Sequence, residues 1–168
     1  MKPTRVAGYP AGMTLRLALA LVVSLLALPA CGDGGSGPDC GGEEGSEVCE
    51  VFRLVNVERR AAGLESYAWD SHLATAAQRH AVDMADNDYF SHTSQDGRSF
   101  VDRAGEAGYD ASPRGENIAQ GYRNAAAVME GWMSSDGHRA NILAEGSNEI
   151  GIGLRDFYWV QVFGTRRE

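Results

Sequence analysis

Apolar residues recur at a helical period from residue 48 onward, where Val48, Val51, Phe52 and Val55 share one face of a helix that Ser46 can cap and Gly63 can end. A second stripe, Leu73, Ala76, Ala77, His80, Ala81 and Met84, predicts a helix from about Asp70. Ser99 to Ala107 reads as a short helix stopped by Gly108, and Asn124 as the cap of a helix carrying Val128, Met129, Trp132 and Met133. The pattern then changes period. Residues 149–154 and 157–163 are rich in β-branched and aromatic residues and are separated by Arg155-Asp156, a hairpin signal; a weaker strand is predicted over Asn117 to Tyr122. Helices followed by strands predict an α+β domain with helices packed on a small antiparallel sheet.

The first 30 residues follow a different logic. Lys2, Arg5 and Arg16 precede an apolar run from Leu17 to Leu28, too short for a membrane-spanning helix of ~20 residues, so the segment reads as a signal peptide. Met13 is an alternative start within it. The segment ends Leu28-Pro29-Ala30-Cys31, which resembles the lipobox of bacterial lipoproteins and marks Cys31 as the lipidation site; an ordinary signal peptide with a plain thiol at Cys31 is the alternative. Residues 31–46 hold many glycines and no large apolar side chain, a composition that predicts a flexible tether before a domain spanning residues 47–168. With Cys31 lipidated, Cys40 and Cys49 remain as a pair, and export to an oxidising compartment favours a disulfide between them over two free thiols.

Without residues 1–30 the chain carries 12 Lys plus Arg against 23 Asp plus Glu, a net charge of −11, which argues against nucleic acid as a partner. Of the histidines, His80 falls on an apolar stripe and is expected as a hydrogen-bonded core residue, His72 is expected at the surface, and His138 follows a turn at Ser134 to Gly137 on a loop or the first turn of a new helix. Asn117 and Asn141 are expected to satisfy backbone groups.

Three segments, Tyr89-Phe-Ser-His92-Thr-Ser, Gly115-Glu-Asn117-Ile-Ala and Gly131-Trp-Met-Ser-Ser-Asp-Gly-His138-Arg-Ala-Asn-Ile142, stand in order with Leu54-Val-Asn-Val-Glu-Arg59 before them and Tyr158-Trp-Val-Gln-Val-Phe163 after them. Together they resemble the bacterial branch of the CAP superfamily, named for cysteine-rich secretory proteins, antigen 5 and pathogenesis-related 1 proteins, over residues 48–164. The resemblance implies an α-β-α sandwich with helices on both sides of a small antiparallel sheet. It also implies a cleft in which two histidines and two acids bind zinc or another divalent metal in some members. His92, Glu116 and His138 match three of those positions; the second acid does not transfer, because Ser135 stands there. Two imidazoles and a carboxylate suffice as a zinc ligand set with one open position, and a metal-free hydrogen-bonded cluster is the alternative.

Two functions follow as expectations. One is a binding module at the cell envelope, joined to the membrane through its N-terminal lipid or else secreted, whose ligand is an unidentified lipid, glycan, peptide or other small molecule. The other is a hydrolase using water activated by a metal or by Glu116, acting on an envelope or extracellular substrate. No catalytic nucleophile with a paired base is legible.

Overall fold

The computed structural model describes residue 40 and residues 46–166. Cys31, the signal segment and most of the tether therefore lie outside the described residues. Among the described residues the elements are, in chain order, α1 (Glu47–Ala61), β1 (Ala68–Trp69), α2 (Ser71–Asp86), α3 (Phe100–Glu106), β2 (Ser112–Gln120), α4 (Ala125–Met133), α5 (Asp136–Ile142), β3 (Glu149–Arg155) and β4 (Tyr158–Thr165).

The helix starts are set by local side-chain chemistry. Ser46, Asp70, Ser99 and Asn124 each accept a hydrogen bond from a backbone N–H of the first turn of α1, α2, α3 and α4, which relieves donors that have no partner inside the helix. Ser99 and Asp102 form a reciprocal capping box. The Glu47 carboxylate accepts from Ala125 N at 2.5 Å and ties the beginnings of α1 and α4 together.

The sheet has the order β1-β3-β4-β2. Its long pairings, β3 with β4 and β4 with β2, are antiparallel, whereas β1 pairs with β3 in parallel through two residues. The sheet is thus mixed rather than purely antiparallel; Ala68 and Trp69 are too few to show a strand period. β2 begins earlier than its pattern predicts because Pro113, Arg114, Gly115 and Glu116 carry no strand signal, and pairing along β4 overrides that preference. Phe157, expected to open a strand, is instead a turn residue: it and Asp156 have φ of 65° and 47°, as a two-residue hairpin joining Arg155 to its partner Tyr158 requires.

Alternation along β4 builds two cores. Tyr158, Val160 and Val162 face Leu73, Ala77, Ala81 and Met84 of α2 and Ala104 of α3. Trp159 and Phe163 face Val51, Phe52 and Val55 of α1, Val128, Met129 and Trp132 of α4, and Ile142 of α5. Helices cover both faces, the sandwich that the resemblance implies. Gly151 and Gly153 bring α2 directly onto β3: a Cβ at Gly151 would lie 2.0 Å from Ala74 N, and one at Gly153 2.4 Å from Gln78 N.

Cys40 is joined to Cys49 of α1, their Cα atoms 5.5 Å apart, and is buried in the α1 core with 4% of its surface exposed. A residue expected within the tether is therefore part of the folded unit. Among the described residues no helix is long and apolar enough to cross a membrane.

Candidate functional site

β2 is an edge strand, and successive side chains on a strand point to opposite faces. Glu116 and Asn117 are neighbours on it, so one serves each layer of the sandwich. Glu116 turns to the side of α3, where Nη2 of Arg103 donates to its Oε2 at 2.6 Å. Its Oε1 lies 2.8 Å from Nδ1 of His92. Asn117 turns to the side of α5, donating to His138 O and to Gln161 Oε1, both at 3.1 Å. Asn141 donates to Glu116 O at 3.3 Å and to Asn117 Oδ1 at 2.8 Å. Both amides do satisfy main-chain carbonyls, and between them they tie the turn bearing His138 to the strand bearing Glu116.

The electrostatics follow from burial. The side chains of Glu116 and Arg103 are 1% and 5% exposed, so each charge is withdrawn from water and neutralised by the other. An ionised carboxylate only accepts, so the proton on His92 sits on Nδ1 and the Nε2 edge is presented outward from a ring that is 56% exposed. His138, in the first turn of α5, is held below the ordinary histidine pKa, chiefly by burial and secondarily by its electrostatic coupling to His92. His80 is fully buried with Nε2 at 2.9 Å from Ser91 O, the core role expected of it. His72 is half exposed beside Asp70.

The residues predicted from sequence are therefore arranged in two grades: His92 and Glu116 are in direct contact, while His138 reaches the group through its backbone carbonyl and through the field of His92. The donor set does not fit a metal held by all three. Both Glu116 oxygens are engaged, one by a guanidinium, and among the described residues no three His, Cys, Asp or Glu side chains come together closely enough to hold a metal ion. Ser135 caps no backbone group of α5 with its side chain.

Arg103 is the site residue that sequence reasoning missed. Its signal was present: it lies between Phe100 and Ala107 beside Ala104, on the apolar side of a short helix, and an arginine placed there demands a buried carboxylate.

A family model described as CAP, the cysteine-rich secretory protein family, matches residues 52–163. The uncharacterized membrane protein YlbC of Bacillus subtilis (strain 168) is 39% identical over 117 residues, covering 70% of this chain and 34% of the relative. The uncharacterized protein YkwD of the same organism is 36% identical over 116 residues, covering 68% of this chain and 45% of the relative. The chain thus spans less than half the length of these curated relatives. Among solved structures, an extracellular protein containing a SCP domain from Bacillus anthracis str. Ames superposes with a TM-score of 0.70 at 35% identity, over 71% of this chain and 40% of that one. An outer surface protein from Borrelia burgdorferi shares the fold with a TM-score of 0.64 at 22% identity, over 72% of this chain and 93% of that one.

Proposed function

The chain belongs to the CAP family of cysteine-rich secretory proteins, and from that premise we propose that it is an extracytoplasmic binding module, lipid-anchored at Cys31, whose ligand docks at the outer edge of β2 against His92 and His138. The observation that carries this reading is the double engagement of Glu116. With one oxygen on His92 and the other on Arg103, and with its side chain only 1% exposed, the carboxylate is a rigid internal support withdrawn from the solvent that would supply a reacting water. What remains toward the ligand is recognition chemistry: the Nε2 edge of an oriented imidazole and a second, half-buried imidazole on a braced turn. Location outside the cytoplasm is supported by the membrane and extracellular relatives and by the signal-like segment ending at Cys31.

Two experiments test the two halves. Incubated with vesicles, soluble glycans and peptides prepared from a cell envelope, the 15N-labelled domain should show shifts concentrated at His92, His138 and Asn117, with the recovered ligand chemically unchanged. Shifts confined to other surfaces would sink the site assignment. In a cell that processes lipoproteins, the full chain should take up labelled palmitate and Cys31→Ser should abolish the uptake; label persisting on the variant rules out Cys31.

The hydrolase reading keeps one observation in its favour. A histidine whose Nδ1–H is held by a carboxylate at 2.8 Å has the orientation of a general base, so that role moves from Glu116 to His92. Cleavage of an added ligand, lost in His92→Gln with binding retained, would establish it. Zinc titration checks the metal alternative independently: His92→Ala and His138→Ala are expected to leave any zinc affinity unchanged.

A further inference from the structure

The polar network does not end at Arg103. A guanidinium carries five N–H groups in a fixed fork, and four of them are accounted for. Nη1 donates to Ser94 Oγ at 3.1 Å and Arg98 O at 3.0 Å; Nη2 donates to His92 O at 3.1 Å and Glu116 Oε2 at 2.6 Å. The fifth, Nε–H, is buried with no partner among the described residues. His80 of α2 presents the complementary gap. The Ser91 carbonyl 2.9 Å from its Nε2 can only accept, so the proton resides on Nε2 and Nδ1 carries a lone pair. That atom too is buried with no partner among the described residues. Both residues line a cavity of ≈ 30 Å³ between α2 and α3, together with Asp83, Ser94 and Arg98.

An unmatched buried donor and an unmatched buried acceptor each carry a desolvation penalty, and here the two residues that bear them line the same space. An anion would satisfy the guanidinium N–H and leave the imidazole lone pair unmet. A cation would satisfy the lone pair and be repelled by Arg103. A neutral molecule that both donates and accepts meets both demands. The volume limits its size, since one water needs ~10–15 Å³ of such space and two to four polar partners.

We propose that this cavity is a binding site for a structural water that accepts from Nε–H of Arg103 and donates to Nδ1 of His80. Asp83 and Ser94 in the same wall carry acceptors for its second hydrogen. Through this water His80 becomes a positioning residue: it completes the five bonds of Arg103, and Arg103 in turn fixes Glu116 and the main chain of His92. A buried histidine on α2 is thereby joined to the outward-facing imidazole without touching it. The proposal concerns the support of the site and stands whether or not a ligand of the proposed class docks there.

The test is made by NMR on the labelled domain. Nitrogen-detected spectra should show His80 as the Nε2–H tautomer, with a cross-peak from a long-lived water to its ring, and Arg103 Nε–H as a slowly exchanging resonance. His80→Asn keeps an amide group where Nδ1 stood, whereas His80→Leu removes it. The exchange of Arg103 Nε–H should therefore be near the wild-type rate in His80→Asn and roughly 10-fold faster in His80→Leu. An Nδ1–H tautomer, the absence of any water cross-peak, or unchanged exchange in His80→Leu would each overturn the proposal. If His80→Leu does not fold, the tautomer and the water contact in the unaltered domain decide alone.

Discussion

At the scale of single residues, Glu116 determines what the site can be, because its two oxygens choose their partners before any ligand arrives. Glu116→Gln keeps the shape but leaves Arg103 as a buried charge without a counterion, so it should destabilise the domain by ~3–5 kcal/mol, measured as a lowered midpoint in urea. Arg103→Met combined with Glu116→Leu should recover much of that loss, since the pair is removed together; a double variant as unstable as the single would contradict the account. His80 gives the acid dependence. Its pKa lies below the ordinary histidine value, first through burial and second through the charge of Arg103, with Glu116, the Ser91 carbonyl and Asp83 opposing. The unfolded chain therefore binds a proton more readily than the folded one. The contribution of His80 to stability is constant above about pH 6.5 and should fall as the pH drops below it, by at most ~1.4 kcal/mol per pH unit. A urea midpoint that stays level from pH 7 to pH 5 would refute it. His92, Glu116 and His138 were legible only through the motifs that carry them, as residues 24 and 22 positions apart form no local pattern. Arg103 carries a local signal, a cation on the apolar side of a short helix, but the carboxylate it answers lies on a strand folded against that helix.

At the scale of elements, capping residues and helical stripes made α1, α2, α3 and α4 legible, and they start one residue after Ser46, Asp70, Ser99 and Asn124. What escaped reading was fixed by partners distant in sequence: β1, which exists only by pairing with β3, and the first half of β2, which exists by pairing with β4. The glycines of β3 belong to this class. In a strand they read as weakness, yet they permit the closest approach between α2 and the sheet. Gly151→Ala should cost ~1–3 kcal/mol or more, because the new Cβ meets helix backbone that cannot rotate aside. The opposite sign is expected at the hairpin. Phe157 is about half exposed and holds a left-handed conformation that disfavours a side chain, so Phe157→Gly should stabilise the domain by about 0.5–1 kcal/mol. Calorimetric melting of the two variants checks both, and a Phe157→Gly domain that melts lower would show that the contact with Arg123 outweighs the strain.

At the scale of the whole molecule, composition separates a signal-like segment, a glycine-rich stretch and a folded domain, but it misplaces the boundary between the last two. Hydrophobicity averaged over residues 31–46 is low, and one cysteine among glycines does not raise it; only its bond to Cys49 carries Cys40 into the core beside α1. The folded unit therefore begins at or before Cys40 rather than at Glu47. In the chain-entropy model, closing the loop from Cys40 to Cys49 stabilises the domain by roughly 2.5–3 kcal/mol, so Cys40→Ala with Cys49→Ala should lower the melting temperature by roughly 10 °C. A domain begun at Glu47 should melt lower still. It loses the same cross-link, the buried surface of Cys40 and the Ser46 side chain that accepts from Cys49 N at 3.3 Å, a cap that contributes ~1 kcal/mol. The order of melting temperatures, unaltered domain above the double alanine variant above the domain begun at Glu47, follows from where the chain enters its core. Equal melting of all three would return Cys40 to the tether and leave the first helix of the sandwich as the true start of the fold.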